Sequence, residues 1–167
     1  MHPLLLDDAA LLAECEVDTY RASGPGGQKR NKTASAVRLR HRPTGIAASA
    51  SDSRLQQRNR RLALCRLRQA IAGRYRQPIA SPYQIPPALA ALIARRPLAR
   101  DGAEYAAAIG QLLDLLAEQQ AVVLATARRL ELNSGQLSRL LTEQPWVNRS
   151  VNLLRQQYGL RPLSPRR

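Results

Sequence analysis

The residues most able to support chemistry lie in a glycine-rich loop, Ser23-Gly24-Pro25-Gly26-Gly27, followed by Gln28 and a run of cations. Glycines let a backbone approach another molecule in conformations closed to residues with a Cβ. The sequence offers no paired carboxylates, no Ser-His-Asp set and, with two His and two Cys, no metal-ligand pattern. What remains is a site built from the backbone of the loop itself, for which we expect no metal and no cofactor.

The positive charge of the chain is concentrated around that loop. The sequence has a net charge of +14 and a pI of about 11.3. Between Arg21 and Arg76 there are 15 Lys and Arg residues and a single acid, Asp52, whereas the rest of the chain carries 11 residues of each sign. Because cations that neutralise phosphates release condensed counterions, this segregation predicts a nucleic-acid partner. The alternative is a solvated basic surface that serves only solubility.

The loop belongs to a longer motif, Arg21-Ala22-Ser23-Gly24-Pro25-Gly26-Gly27-Gln28-Lys29-Arg30-Asn31-Lys32-Thr33, with Ala36-Val37-Arg38-Leu39 and Pro43-Thr44-Gly45-Ile46 after it. This order closely resembles the Gly-Gly-Gln catalytic domain of class I peptide chain release factors. Further on, Arg54, Gln56 and Asn59 resemble the family's Arg-Ser-Gln-x-x-Asn run, although Leu55 replaces the usual Ser. The resemblance covers roughly Val17 to Ile71. A glycine-rich hairpin without chemistry is the alternative.

The resemblance implies hydrolysis of the ester that joins a peptide to the terminal ribose of its tRNA. Such a reaction needs a placed water, donors for the developing negative charge and exclusion of bulk solvent. In this family the two glycines, here Gly26 and Gly27, let the main chain reach the tRNA end. Gln28 would supply its backbone N–H to the transition state and its uncharged amide to orient water. The peptidyl transferase centre of the large ribosomal subunit would supply the rest.

The residues around the catalytic loop are expected to bind ribosomal RNA and position the loop. The expected RNA-binding residues are Arg21, Lys29, Arg30, Asn31, Lys32, Arg54, Gln56, Arg58, Asn59 and Arg61. For Asn31, Thr33, Gln56 and Asn59, hydrogen bonds within the base of the loop are an equal alternative. The expected partners are therefore large-subunit rRNA and peptidyl-tRNA, together with a glutamine methyltransferase acting on Gln28.

The size of the chain bears on how such a protein would be used. Stop-codon-reading members of the family are longer, and the residues before Cys15 leave no room for a reading domain, so we expect rescue of stalled ribosomes without stop-codon reading. Some short relatives use a cationic tail in the mRNA channel, but the ending Leu163-Ser164-Pro165-Arg166-Arg167 is too short for one. We therefore expect a protein partner that docks on the C-terminal helices.

The N-terminal sequence also predicts a location. The apolar run Leu4–Leu6 is too short for a signal peptide or a membrane span, and Asp7-Asp8 follows it at once. Two Cys without a CxxC pattern are typical of reduced thiols. We expect a soluble protein of the bacterial cytosol, with an organelle matrix as the alternative and no membrane partner.

The elements expected to position the loop give an α+β fold with a small sheet and a long packing helix. A short helix from Asp8 to Glu14 precedes a strand from Cys15 to Arg21, in which Cys15, Val17 and Thr19 face inward. The strands Ala36–Arg42 and Ile46–Ser51 form a hairpin with one cationic face, and His41 lies in this sheet unless it is catalytic. A helix from Arg54 to Gly73 has an apolar side that includes Leu55 and a cationic side formed by Arg54, Arg58, Arg61 and Arg68.

The rest of the chain predicts a second, helical domain. The boundaries are 1–76 for the loop-bearing domain, 77–87 for a stiff Pro-rich linker and 88–167 for an all-α domain of balanced charge. Its core pattern Ala127, Leu130, Leu132, Leu137 and Leu140 resembles a helix-turn-helix in which Asn133-Ser134 caps the second helix and Glu131 replaces the usual Gly. Trp146 is expected to anchor the core rather than to stack on a base.

Two other functions fit parts of this pattern. A ribosome-associated or RNA-binding factor without hydrolysis would keep the basic fold but would not need Gly26, Gly27 and Gln28. A DNA-binding regulator would rest on the helix-turn-helix pattern alone, and the expected charge balance of that domain speaks against it.

Overall fold

The computed structural model describes residues 2–21 and 35–165. Contacts within the chain divide it into two compact units, residues 1–71 with 101–103 and residues 72–100 with 104–167. The predicted α+β class is confirmed, because the described residues combine a three-stranded antiparallel sheet with several helices. The boundaries at residues 76 and 88 and the linker over 77–87 stay a prediction.

The first unit begins with a short helix that leads into the sheet. Helix α1 (Asp8–Ala13) is capped by Asp7, whose carboxylate accepts a hydrogen bond of 2.8 Å from the Ala10 N–H. Strand β1 (Cys15–Tyr20) follows, then β2 (Ala36–His41) and β3 (Ala47–Ala50), in the order β1-β2-β3. The predicted entry helix and all three strands are confirmed to within a few residues.

The sheet has one buried face and one exposed face, set by alternation along β2. Val37, Leu39 and His41 are buried, whereas Arg38 and Arg40 are exposed. In β1 the predicted inward set is wrong beyond Cys15, because Val17 is 45% exposed and Thr19 is also exposed. The reason is that β1 pairs with β2 alone and lies at the edge of the described sheet.

His41 is a structural residue of the sheet, as expected from its place in the strand. Its ring is fully buried, and its two nitrogens lie 2.8 Å from Thr44 Oγ1 and from Glu14 Oε2. Gly45 follows with a φ of +68°, which the turn between β2 and β3 requires. Both ring nitrogens are therefore committed to holding the turn and the end of α1 together.

Helix α2 (Gln56–Arg74) supplies the other wall of the first unit. Its buried side chains are Asn59, Ala63, Leu64, Leu67, Arg68, Ile71 and Ala72. Two predictions for this helix are wrong. Leu55, expected on the apolar side, precedes the helix and is 67% exposed, whereas Arg68, expected on the cationic side, is 2% exposed. Arg68 Nη2 donates to Leu6 O at 2.9 Å and to Asp8 Oδ1 at 2.8 Å. Its guanidinium can be buried because these partners, about 60 residues earlier in the chain, satisfy it.

The second unit is built on a long central helix. The helices are α3 (Pro87–Ile93), α4 (Ala103–Glu118), α5 (Val123–Arg129), α6 (Ser134–Thr142) and α7 (Pro145–Gln157). Most of α4 is buried, and Trp146 packs edge-on against Tyr105 with ring centroids 6.2 Å apart, which confirms its core role. Arg76 and the Gln77 N–H both bond Asp114 of α4, at 2.9 and 3.2 Å, and burial raises the pKa of that carboxyl.

The two helices predicted around the turn at Asn133 are present as α5 and α6, and of the predicted core residues Leu132 and Leu140 are only half-buried. Asn133 and Gln136 form a reciprocal capping box at the start of α6, with hydrogen bonds of 2.8 and 3.0 Å. Leu130 and Leu137 are buried. Glu131 has a φ of +55°, so the position that glycine commonly fills does need a left-handed conformation, and a glutamate adopts it here.

Candidate functional site

The catalytic loop predicted from the sequence connects two paired strands. Tyr20, the last residue of β1, is the register partner of Ala36, the first residue of β2, so the connection starts and ends at one end of the sheet. Several predicted site residues fall within this connection and lie outside the described residues. They are Gly26, Gly27, Gln28, Lys29, Arg30, Asn31 and Lys32. The described part of the site is therefore the base of the loop, which consists of the strand ends at Tyr20 and Ala36 and the residues that contact them.

Asn59 joins the downstream end of the connection to the start of α2. Its side chain is fully buried, and its Nδ2 donates to Ser35 O and to Ser53 O, both at 2.7 Å. Its Oδ1 accepts from the Ser53 N–H at 2.9 Å. The amide therefore uses both of its hydrogens and its oxygen within the first unit. Of the two alternatives for Asn59, the structure displays the hydrogen bonds at the base of the loop.

Asp52 and Arg66 form a second brace on the segment before α2. The two side chains make a bidentate ion pair with distances of 2.8 and 2.9 Å, and Arg66 Nη1 also donates to Ser49 O of β3 at 3.0 Å. The hydrogen bond from Arg66 holds the pKa of Asp52 below its usual range. The one acid of the basic segment is thus already paired, and it does not offset the other cations.

Those other cations cluster at the first turns of α2. The predicted residues Arg54, Gln56, Arg58 and Arg61 are exposed there, and Arg60 joins them. The helix has no acid in its first turn, although the partial positive charge of a helix N-terminus favours one. Arg60 is not among the RNA-binding residues predicted from the sequence, because on a helical wheel it lies among the apolar positions of the helix. This end of α2 is therefore a cationic surface suited to an anionic partner.

A small cavity lies between this surface and the end of the sheet. It has a volume of about 180 Å³ and is lined by Val17, Thr19, Val37, Gln56, Gln57 and Arg60. Val37 and Thr19 are register partners, one pair away from the strand ends that carry the connection. The structure thus brings the predicted Gln56 next to the base of the loop, while Arg21 follows β1 directly and is exposed.

The cationic face predicted for the hairpin is balanced by β1. Arg40 lies opposite Glu16 and Arg38 lies opposite Asp18 in the antiparallel register. The third arginine, Arg42, donates to the carbonyls of Ala13 and Glu14 at 2.6 and 3.2 Å. The hairpin therefore contributes less free positive charge than its own sequence indicates, and α2 contributes more.

Two further findings apply to residues 2–21 and 35–165. No group of three or more His, Cys, Asp or Glu side chains in that part of the chain is arranged to hold a metal ion. None of the helices described combines the length and the apolar composition needed to cross a bilayer.

Comparison with known proteins places the loop and its base in one family segment. Residues 11–84 match the RF-1 domain. Similar proteins include peptide chain release factor 1 of Leptothrix cholodnii, with 54% identity over 65 residues, and peptide chain release factor 2 of Paramagnetospirillum magneticum, with 57% identity over 56 residues. Peptide chain release factor 1 of Limosilactobacillus reuteri is 47% identical over 70 residues.

The similarity is confined to part of each protein. The three matches cover 39%, 34% and 42% of this chain but only 18%, 15% and 19% of the respective relatives. The chain therefore matches less than a fifth of the length of these curated relatives. The resemblance proposed from the sequence is confirmed for the loop-bearing segment.

Proposed function

We propose, on the premise that residues 11–84 are an RF-1 domain, that this chain releases peptides on the ribosome by hydrolysing the peptidyl-tRNA ester, and that it does so without reading a stop codon. The observation that carries the proposal is the Gly26-Gly27-Gln28 sequence within a family segment whose described residues form a braced base for it. The similar proteins are named peptide chain release factors, and these names support peptide release as the activity.

The chemistry proposed for the loop needs no ionisable side chain. A water oxygen bonds to the ester carbonyl carbon, the bond from that carbon to the tRNA 3′-oxygen breaks, and the 3′-oxygen takes up a proton. The backbone N–H of Gln28 would stabilise the developing negative charge, and its amide would orient the water. Gly26 and Gly27 would let the main chain reach the ester.

The base of the loop has a positioning role in this proposal. Asn59 ties Ser35 to Ser53, and Ser35 lies one residue before β2. Arg21, Arg54, Arg58 and Arg61 are exposed and would neutralise phosphates of large-subunit rRNA. The lack of an acid in the first turn of α2 favours this assignment, because a helix N-terminus crowded with arginines is stabilised when an anion is bound.

The direct test is release of labelled peptide from purified ribosomes that hold peptidyl-tRNA, with and without a stop codon in the decoding site. We expect release by the full chain in both cases, and loss of release in Gly27→Ala and Gln28→Ala. Gln157→Ala, at an exposed position outside the RF-1 match, is the control for Gln28→Ala and should keep full release. Release that needs a stop codon would refute the rescue assignment, and binding without release would favour the non-catalytic RNA-binding alternative.

The docking role of the cations has its own test. Arg58→Gln with Arg61→Gln should raise the chain concentration needed for half-maximal release while changing the rate at saturation little. Each lost phosphate contact should also lower the slope of log affinity against log salt by about 0.7 to 0.9. Equal salt slopes for the two proteins would show that these arginines do not contact phosphates.

Three finer assignments belong to the same proposal. Gln28 would be the acceptor of a methyltransferase, which intact-mass measurement of protein from its own source would reveal as one added methyl group. A partner protein on the C-terminal helices would help to find the stalled ribosome, and the bacterial cytosol would be the site of action. A chain ending near Pro78 that rescued ribosomes as well as the full chain would remove the role of the helices.

A further inference from the structure

Arginines from two parts of the second unit meet at one cavity that the proposed release chemistry does not use. The cavity has a volume of about 310 Å³. Arg95, Arg96 and Arg100 come from the segment after α3, and Arg139 comes from α6. Arg95 has a φ of +54°, which turns the chain at the end of α3 and brings its neighbours to the rim. The wall below them is apolar, with Leu92 and Tyr105 buried.

The single acid at the cavity is already neutralised. Glu143 forms an ion pair with Arg100, and Arg100 also donates to the Tyr105 hydroxyl at 3.0 Å and lies over its ring at 5.0 Å from the centroid. Within residues 2–21 and 35–165, the exposed side chains of Arg95, Arg96 and Arg139 form no ion pair. Three guanidinium groups therefore surround the cavity without a counter-charge from the described protein.

The net charge of residues 88–167 also differs from the balance expected from the sequence. The 11 acids outside Arg21–Arg76 include five before Arg21, so residues 88–167 carry 11 arginines against six acids. The expected charge balance of the helical domain is therefore wrong, and with it the objection that this domain lacks a basic surface. An excess of arginine rather than lysine favours ligands with planar or tetrahedral oxyanions, which guanidinium groups bind with two hydrogen bonds.

A second, wider cavity continues the surface along α6. It has a volume of about 730 Å³ and shares Arg139 and Glu143 with the first. Its other polar lining is uncharged and includes Asn133, Gln136, Ser138 and Thr142. The side-chain oxygens of Asn133 and Gln136 accept the hydrogen bonds of the capping box, so their amide NH2 groups and the Ser138 hydroxyl are the groups that face a ligand. Uncharged donors and acceptors beside a cationic patch suit ribose hydroxyls and base edges next to phosphates. A purely acidic peptide would use the arginines but not this neutral strip.

We propose that this surface, made of Arg95, Arg96 and Arg139 with the polar strip of α6, binds the phosphodiester backbone of RNA. The choice of RNA over DNA rests on the proposed function, which places the chain on the ribosome. The apolar wall with Tyr105 would lie under the ribose of a bound nucleotide, and Arg100 would hold Glu143 away from the phosphates.

The site can be tested on the full chain by protection of arginines from phenylglyoxal, located by peptide mass spectrometry. A single-stranded oligoribonucleotide should slow modification of Arg95, Arg96 and Arg139 at least about fivefold, while Arg128, Arg149 and Arg161, which are exposed elsewhere in the same unit, should react as before. Equal protection by poly-glutamate would assign the surface to an acidic protein, and stronger protection by duplex DNA would assign it to DNA. Protection by none of these would overturn the site.

A charge-matched pair of variants gives the second test. In a chain that already carries Arg54→Gln, Arg58→Gln and Arg61→Gln, so that α2 contributes less to RNA binding, Arg95→Gln, Arg96→Gln and Arg139→Gln together should weaken binding of the oligoribonucleotide at least about tenfold at 0.1 M salt and lower the salt slope by about 2. The control, Arg128→Gln with Arg149→Gln and Arg161→Gln in the same background, removes the same charge and should change affinity less than about threefold. Equal effects in the two triple variants would refute the site. Because Gln28→Ala leaves these residues intact, it should not alter protection, so failure of the release chemistry and failure of this site are distinguishable.

Discussion

Substitution of Asn59 by alanine tests whether the base of the loop is built by one buried amide. The change leaves Ser35 O, Ser53 O and the Ser53 N–H without the partners that lie 2.7, 2.7 and 2.9 Å away. Each such hydrogen bond contributes roughly 0.5 to 1.5 kcal/mol net, so the first unit should lose about 3 kcal/mol. Asn59→Asp should lose more, because a buried carboxylate would face two carbonyl oxygens.

The expected destabilisation of the first unit by Asn59→Ala can be measured by native-state hydrogen exchange. Leu39 in β2 and Leu67 in α2 are fully buried and report on the sheet and the helix that Asn59 joins. A loss of about 3 kcal/mol corresponds to exchange faster by roughly a hundredfold when exchange requires opening of the unit. Gln57→Ala, at an exposed position of the same helix, should change these rates less than about threefold.

A peptide-release assay on the same variants distinguishes a loss of folding from a loss of loop positioning. At a temperature where Asn59→Ala is still folded by circular dichroism, we expect release to fall while binding to ribosomes persists, since the cations of α2 are unchanged. Exchange rates within about threefold of the unchanged protein would refute the reasoning that these three hydrogen bonds brace the site.

Three further predictions concern the stability of each unit and can be checked by urea unfolding. Asp8→Ala should destabilise the first unit by about 2 kcal/mol, because it leaves the buried Arg68 guanidinium without its ion partner. Arg68→Met removes the buried charge itself, so its stability should lie within about 1 kcal/mol of the unchanged protein. Equal losses in the two variants would contradict this assignment. Glu131→Gly should stabilise the second unit by about 0.5 kcal/mol, because φ is +55° at this position. Glu104→Gly, in the first turn of α4, should instead destabilise it by about 0.5 to 1 kcal/mol, and a loss in both variants would show that the turn at Glu131 is unstrained. Gly73→Ala places a methyl group against the Ser150 hydroxyl and should cost about 1 to 3 kcal/mol, and Ser150→Ala in the same chain should restore most of it; additive losses would exclude the clash.

The strands and helices of the first unit were predictable because their signals are local. Alternation in β2 places Val37 and Leu39 inside and Arg38 and Arg40 outside, and this pattern needs no knowledge of the rest of the chain. The apolar stripe of α2 likewise predicts burial of Ala63, Leu67 and Ile71. What the stripe cannot predict is Arg68, since its partner Asp8 lies 60 residues earlier in the chain.

The candidate site was predictable by residue type but not by the roles of its residues. The motif predicted that Asn59 acts near the loop, yet only the fold distinguishes an amide that bonds Ser35 and Ser53 from one that points to RNA. The charge predicted from the sequence was wrong for two surfaces. The hairpin residues Arg38 and Arg40 lie opposite acids of β1, and four arginines of the second unit line one cavity. Register and packing, which the sequence does not show, decide which charges become neighbours.

The pairing of Tyr20 with Ala36 has a consequence for how this protein can change over evolutionary time or in the laboratory. A connection closed by a ladder pair can vary in length at small thermodynamic cost, because each doubling of a loop adds only about 0.6 kcal/mol to its closure. The position of Gln28 relative to the strands, however, would shift with every inserted residue. Folding and the proposed peptide release are thus separable traits, and libraries that vary residues 22–34 can be selected directly for release.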